Sequence, residues 1–159
     1  MNLFVLDLDP RQAARDHCDR HVPKMILETA QMLSTAHHAH GSTVQGLYRP
    51  AYANHPCTRW VRENSENYTW AWSLLDELLW EFQLRRGKLH ATQRLLGPLA
   101  TLPSLSDEFL FSERTPFALA MPDEFKSDDP VESYRNYYRK AKAHFASWTW
   151  PHAQQPIWF

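Results

Sequence analysis

Polar and apolar positions follow a helical period along much of this chain, and one polar row is chemically unusual. Between Asp7 and His40 the polar residues recur at steps of three and four, which places them on one stripe of a 3.6-residue helix. Apolar residues such as Met25 and Leu33 fill another face. The stripe consists of His17, His21, Lys24, Glu28, Gln31, Thr35 and His38.

The residue types in this stripe point to chemistry rather than to simple solvation. A solvated helix face is usually rich in Lys and Glu, whereas this one combines imidazoles, an amine, a carboxylate and an amide. We therefore predict that the stripe lines an active-site cleft. His21 and Glu28 should then be substantially buried, each within reach of another polar side chain. The alternative is an ordinary surface or core face.

The same periodicity, together with its caps, predicts four helical regions. Asp9-Pro10 is a favourable helix start, and Pro23 should kink or split the helix that follows near Val22. We expect residues 3–6 to form a short extended arm against the core. Residues 98–128 should form a long ordered loop with one short helix. The predicted helical regions are 10–40, 58–86, 88–96 and 130–148.

Length and composition favour one all-α domain. A chain of 159 residues with 43% apolar and 13% aromatic residues is long enough for one core and unlike a disordered protein. Only 4 glycines are present, and Gly41, Gly87 and Gly97 stand where helical patterns stop. We predict an all-α fold, a compact single domain over residues 1–159 with a short N-terminal arm and a long ordered loop.

Charge and cysteine usage narrow the possible partners and the compartment. The formal net charge of −1 argues against high non-specific DNA affinity but permits a local basic patch. Two Cys without a recognisable secretory leader predict free thiols in a reducing cytosol. No apolar run approaches the ~18 residues of a membrane span. We therefore expect a cytoplasmic protein without a membrane partner, and the sequence leaves its oligomeric state open.

The histidines leave metal-dependent and metal-free chemistry open. His17 and His21 are one helical turn apart, a spacing that suits one metal ion, a metal-free acid/base role or ordinary hydrogen bonding. With His55 and Cys57 they would form a mixed Cys/His site for a divalent metal such as zinc. However, the chain has no CxxC or HxxxxH pair of the kind found in structural zinc motifs. Our first expectation is therefore a site without a cofactor.

The last predicted helix combines aromatic and basic residues. Tyr134 and Tyr138 alternate with cations that include Arg139 and Lys142. Aromatic rings can stack on bases while cations meet phosphates, so this helix is a candidate nucleic-acid contact. The alternative is a half-buried amphipathic helix with tyrosines on the core and solvated cations. Signatures such as GxSxG, a phosphate-binding glycine loop or a dinucleotide fingerprint are absent.

The order of these features resembles the phage endonuclease V type of pyrimidine-dimer DNA glycosylase. The resembling pieces are an apolar arm, a polar helix segment, the Arg-Gly end of a long central helix and a tyrosine-rich stretch. In this chain they are Asn2-Leu3-Phe4-Val5-Leu6, Arg20-His21-Val22-Pro23-Lys24, Arg86-Gly87 and Tyr134-Arg135-Asn136-Tyr137-Tyr138-Arg139-Lys140. Residues 17–38, HCDRHVPKMILETAQMLSTAHH, also resemble part of a phage-encoded family of unstated activity.

The glycosylase resemblance implies a compact all-α domain whose N-terminal α-amine attacks the deoxyribose C1′ and forms an imine. This chain departs from the family at two positions. Asn2 is a poor context for methionine removal, so the nucleophile would be the amine of Met1. His21 stands where the family has its catalytic carboxylate, and Glu28 can replace that group only if the kink at Pro23 turns it inward.

Together these observations predict an enzyme that acts on DNA or a nucleotide, most simply a base-excision or base-modifying enzyme of the glycosylase type. His21 and Glu28 would form an acid/base pair, with His17 orienting the site. Arg20 and Lys24 would clamp a phosphate or the leaving group. Lys24 is the alternative imine-forming amine, although an ordinary lysine, with a pKa of ~10.4, is a poorer candidate than an α-amine.

Two alternative functions remain open from the sequence. One is a metal-dependent hydrolase or nucleotide-processing enzyme that uses the histidine-rich site. The other is a phage-type protein that binds nucleic acid without catalysis. Metal content separates the first alternative from the glycosylase prediction, and DNA binding without product formation would indicate the second.

Overall fold

The computed structural model describes residues 1–159 and confirms the predicted all-α fold. It contains seven α-helices and no strand. The helices are α1 (Pro10–Asp16), α2 (His21–Ala39), α3 (Pro56–Val61), α4 (Ser65–Arg86), α5 (Leu96–Leu99), α6 (Asp107–Leu110) and α7 (Pro130–Tyr137). None of them has the length and apolar character that crossing a membrane requires.

The first helical region splits into α1 and α2, as Pro23 predicts. The Asp9 side chain caps α1 by accepting from the Arg11 N–H at 3.0 Å. The break covers residues 17–20, slightly earlier than expected, because α2 already begins at His21. Pro23 therefore lies in the first turn of α2, where its missing N–H leaves no hydrogen bond unmade.

The predicted long central helix is two helices, α3 and α4. Asn64 separates them, and its side chain accepts from the Asn67 N–H at 2.9 Å to cap α4. Gly87 ends α4 in a left-handed conformation with φ of 63°. The region predicted as one helix over 88–96 is a 3₁₀ turn, Ala91–Leu95, followed by α5.

Helix α2 packs against α3 and α4, and α1 lies against α4. The N-terminal arm enters this core, with each of residues 2–6 at most 7% exposed. The arm is not extended throughout, which differs from the prediction. Phe4 has φ of 47°, and the Leu6 N–H donates to the Phe4 carbonyl at 2.8 Å, closing a tight turn centred on Val5.

The chain after α5 is largely a long ordered loop that includes α6 and a 3₁₀ turn, Asp123–Phe125, before α7 begins. The predicted last helix is shorter than 130–148, because α7 changes into a π-helical turn over Tyr138–Lys142. The C-terminal tail packs back on the domain. Its Trp158 indole donates to Asp16 Oδ2 at 2.6 Å, close to the end of α1.

Arg85 joins α4 to the break between α1 and α2. Its side chain is 1% exposed and donates to the carboxylates of Glu81 and Asp19 at 2.9 and 3.4 Å. It also donates to the main-chain oxygens of Arg15 and His17, both at 2.8 Å. Asp19 in turn accepts two main-chain N–H groups of the C-terminal tail. Arg85 therefore connects four parts of the fold.

We expect Arg85→Met to lower the free energy of unfolding by about 3–5 kcal/mol, since it leaves the buried Asp19 without its counter-charge and Glu81 with only the longer contact to Arg15. Chemical denaturation measures this loss. Arg59→Met is the matched control, because Arg59 is exposed. Equal unfolding free energies for the two variants would contradict the assignment of Arg85 as a connecting residue.

Candidate active site

The carboxylate of Glu28 lies directly beside the N-terminus of the chain. Its Oε2 is 3.6 Å from the α-amine of Met1 and accepts the Asn2 N–H at 2.9 Å. Its Oε1 is 3.7 Å from the Lys24 ammonium, one turn away on α2. The Glu28 side chain is 14% exposed, and the Lys24 side chain is 57% exposed. Glu28 of α2 therefore lies beside the amine.

Met1 is fixed by its own side chain and by the residue that follows it. The Met1 side chain is 1% exposed, and its sulfur accepts the Thr58 hydroxyl at 3.2 Å. Because Met1 as a whole is only partly buried, its exposed surface lies on main-chain atoms. The Asn2 amide donates to the Ala120 carbonyl at 2.8 Å. The amine is therefore held in place at the protein surface.

His55 completes the surroundings of this amine. Burial lowers the pKa of His55, the positive N-terminus lowers it further, and the charge of Glu28 opposes both effects. Its Nδ1 accepts the Cys57 N–H at 3.2 Å, so His55 also caps α3. The α-amine of Met1, the Glu28 carboxylate and the His55 imidazole thus form one group in space around the N-terminus.

His17 is a buried, neutral imidazole. Its Nδ1 is 2.6 Å from the Ala13 carbonyl, and because a carbonyl only accepts, Nδ1 carries the proton. Its Nε2 is buried without any hydrogen-bond partner. Burial, and to a lesser extent the charge of Arg85, lower the pKa of His17 to about 4.

His21 is also buried, at 2% exposed. Its hydrogen-bond partner is not shared with Glu28. Its Nδ1 is 2.6 Å from the Tyr138 hydroxyl, and its ring stacks on Phe4 with centroids 4.7 Å apart. Burial lowers the pKa of His21 to about 2, helped by the charges of surrounding basic residues. The predicted burial of His21 and Glu28 is confirmed, but the structure does not bring them together as an acid/base pair.

A cavity of about 390 Å³ opens beside His21. Two of the predicted catalytic residues, His21 and Lys24, meet there with two of the predicted nucleic-acid-binding residues, Arg20 and Lys142. His144 and Phe145 complete the lining, and the sequence prediction did not include them. The guanidinium of Arg20 lies 5.1 Å from the Phe145 ring centroid. Neither His144 nor Phe145 belongs to a sequence motif that predicts a site.

The structure contradicts direct nucleic-acid contact by Tyr134 and Tyr138, because both are fully buried at 0% exposed. The Tyr134 hydroxyl donates to the Ala118 carbonyl at 2.7 Å, and the Tyr138 hydroxyl contacts His21. Arg139 is partly exposed but already pairs with Glu132 and donates to the Trp158 carbonyl. The tyrosines serve the core, which was the alternative interpretation of this helix.

The alternative metal set of His17, His21, His55 and Cys57 does not fit a metal ion in this structure. No three His, Cys, Asp or Glu side chains form a group that could hold one. Cys57 instead lies 3.9 Å from both the Tyr134 hydroxyl and Asn2 Oδ1, and burial raises the pKa of its thiol to about 11. We derive no step through a metal.

The chain matches no family model, and neither the curated proteins nor the solved structures contain a significant match to it. The resemblance to the pyrimidine-dimer glycosylase type therefore stays a hypothesis that rests on short motifs and on the site geometry.

The neutral buried state of His17 predicts an acid-sensitive fold. Its pKa is 6.5 in the unfolded chain and about 4 in the folded one, so the unfolded chain binds the extra proton between these values. Stability is complete above pH 6.5 and falls as the pH drops toward 4. The His17 contribution to this loss is of the order of 3 kcal/mol.

His17→Asn keeps a donor near the Ala13 carbonyl but cannot titrate. We expect its unfolding free energy to depend less steeply on pH in this window, by up to about 1.4 kcal/mol per pH unit. Denaturation at a series of pH values measures the slope, and His152→Asn at an exposed position controls for the change of residue type. Parallel curves for wild type and His17→Asn would contradict the prediction.

Proposed function

We propose that this protein is a DNA base-excision enzyme of the glycosylase/lyase type, with the α-amine of Met1 as its nucleophile. The observation that carries the proposal is the 3.6 Å contact between that amine and Glu28. An amine that is fixed in place, on a residue whose main chain is partly exposed, and next to a carboxylate has the parts that covalent catalysis of this kind needs. The resemblance of the sequence motifs points to the same chemistry.

The reaction assigns separate tasks to the amine and the carboxylate. The amine nitrogen forms a bond to C1′ of the deoxyribose, while the bond from C1′ to the base breaks and the base leaves with that electron pair and a proton. The C1′–O4′ bond then breaks and the remaining N–H proton passes to O4′, which opens the sugar and leaves an imine between C1′ and the nitrogen. The ammonium must lose a proton before it attacks, and Glu28 Oε2 is close enough to receive it. The carboxylate also stabilises positive charge that develops on the sugar.

Glu28 takes the carboxylate role that His21 cannot perform. A histidine with a pKa of about 2 stays neutral, so it supplies neither a proton nor a negative charge at neutral pH. Lys24 contacts the other oxygen of Glu28, and its exposed ammonium suits electrostatic attraction of DNA better than nucleophilic attack. The three cations Arg20, Lys24 and Lys142 line the cavity beside His21, and Lys24 also contacts Glu28, so they supply a local positive surface on a chain with a net charge of −1.

Borohydride trapping with abasic-site DNA tests the nucleophile directly. We expect a covalent adduct that maps to Met1 by mass spectrometry and that persists in Lys24→Ala. A one-residue extension before Met1 moves the amine by about 3.8 Å while keeping every side chain, and should abolish the adduct. An adduct on Lys24 would reassign the nucleophile. No adduct, where a bifunctional glycosylase control traps, would overturn the proposal and favour DNA binding without catalysis.

Glu28→Gln tests the carboxylate with little change of shape. The Gln amide oxygen can still accept the Asn2 N–H, so the arm should stay in place. We expect the rate of adduct formation to fall about 10²-fold or more, as for loss of a general acid/base group. Glu66→Gln, at an exposed position of α4, is the matched control. A rate within a few-fold of wild type would remove Glu28 from the mechanism.

The salt dependence of DNA binding tests the cationic surface. Lys142→Ala should reduce the slope of log K against log salt by about 0.9, the effect of one lost phosphate contact. Lys140→Ala is the control, because residues two apart in a helical turn do not share a face. Arg139→Ala should have a smaller effect than Lys142→Ala, since Arg139 already pairs with Glu132. Equal slopes for wild type and Lys142→Ala would contradict this assignment.

A further inference from the structure

The cavity beside His21 lies at the N-terminus of α2. Arg20 is the N-cap residue of this helix, His21 is its first residue, and Lys24 follows in the next turn. The main-chain N–H groups of His21 and Val22 already donate to the Cys18 carbonyl, and Pro23 has none, so the positive charge at this cavity comes from side chains. Lys142 adds a further cation from the π-helical turn, so charges from two separate elements meet at one cavity.

Hydrogen bonds behind the cavity fix the proton position on His21. The Cys18 N–H donates to the Tyr138 oxygen at 3.3 Å, which leaves the Tyr138 hydroxyl proton for another acceptor. His21 Nδ1 at 2.6 Å is a closer and stronger acceptor than the Cys18 sulfur at 3.5 Å. Acceptor strength therefore favours donation from Tyr138 to Nδ1, which places the proton of the imidazole on Nε2.

The Nε2 atom of His21 is the donor that remains free. It has no hydrogen-bond partner within the protein. Because it is not completely buried, unlike His17 Nε2, solvent reaches it. The surface by which His21 is reached is the cavity that it lines. Burial keeps the pKa of His21 far below neutrality and that of Tyr138 well above its usual value, so neither proton moves at ordinary pH.

We propose that this cavity binds a phosphate group, with the Nε2–H of His21 as a fixed neutral donor and with Arg20, Lys24 and Lys142 as its cations. Each of these four groups offers only donors, so the matching ligand is one that only accepts. A volume of about 390 Å³ lies in the range of small-molecule sites, which leaves room for the sugar attached to the phosphate.

The phosphate can belong to a DNA backbone or to a free nucleotide. Only the identification of DNA as the source of the phosphate rests on the proposed function. The four donor groups of the cavity would bind a phosphate whether or not the protein forms an imine. His21 is thereby a binding residue that complements the anion, in place of the acid/base role predicted from the sequence.

Histidine-detected ¹⁵N NMR tests the tautomer and the binding together. Without ligand, wild-type His21 should show the Nε2-protonated form from about pH 5 to 8. Inorganic phosphate and a deoxynucleoside 5′-monophosphate should each shift the His21 ring signals in a saturable way. A proton on Nδ1, or no saturable shift with either probe, would overturn the proposal. Tighter binding of the 5′-monophosphate or of an abasic duplex than of inorganic phosphate would indicate a nucleotide as the source.

Paired variants separate the fixed donor from the surrounding charge. His21→Leu removes the donor and should weaken phosphate binding about tenfold or more, whereas His21→Gln places an amide N–H near the same point and should retain most of it. Lys142→Ala should weaken binding while Lys140→Ala should not, and neither residue is buried in the core. Equal affinities for Lys142→Ala and Lys140→Ala would count against the site even if His21→Leu fails to fold.

The outcomes also separate this inference from the proposed function. Saturable phosphate binding with no borohydride adduct would support the anion site and reject the glycosylase/lyase chemistry. An adduct on Met1 with no response of His21 to phosphate would do the reverse.

Discussion

Burial of the N-terminal arm is the constraint on which the candidate site depends. Residues 2–6 lie inside the core, and the ring of Phe4 contacts His21, Tyr134, Tyr137 and Tyr138. A phenylalanine with φ of 47° costs about 1–2 kcal/mol, and these ring contacts hold the strained backbone in place. With the arm fixed, the α-amine of Met1 has one position, and that position is beside Glu28. The same ring also covers the face of His21.

Local signals in the sequence accounted for much of the fold. The helix cap at Asp9 and the stop at Gly87 depend only on neighbouring residues, and the structure has both where the sequence placed them. The break at Asn64 was not predicted, because the apolar period continues across α3 and α4 and only the capping of α4 reveals it. The turn at Phe4 is set by long-range ring contacts, which no local pattern contains.

The candidate site was predictable in its residue types but not in their pairing. The polar stripe correctly predicted that His21 and Glu28 are buried polar residues. The helical period of 3.6 residues, however, does not determine which partner each side chain contacts. The tyrosines of the last helix illustrate the same limit. Tyr134 and Tyr138 are of a residue type that can stack on bases, but in the structure their rings fill the core and their hydroxyl groups form buried hydrogen bonds. Their partners, Ala118 and His21, are distant in sequence or on another helix.

The position of the arm also has a consequence for synthesis of the chain. The Asn2 side chain donates to the Ala120 carbonyl, 118 residues away, and the Phe4 ring packs against Tyr134 and Tyr138. While a ribosome is still adding the middle of the chain, residues 2–6 lack these late partners, and their apolar side chains are less completely covered. Contacts of such sequence separation slow folding, because the intervening chain must lose its freedom before they form. A ribosome-bound or truncated chain that ends before residue 138 thus exposes residues 3–6, LFVL, as an apolar segment that chaperones can bind.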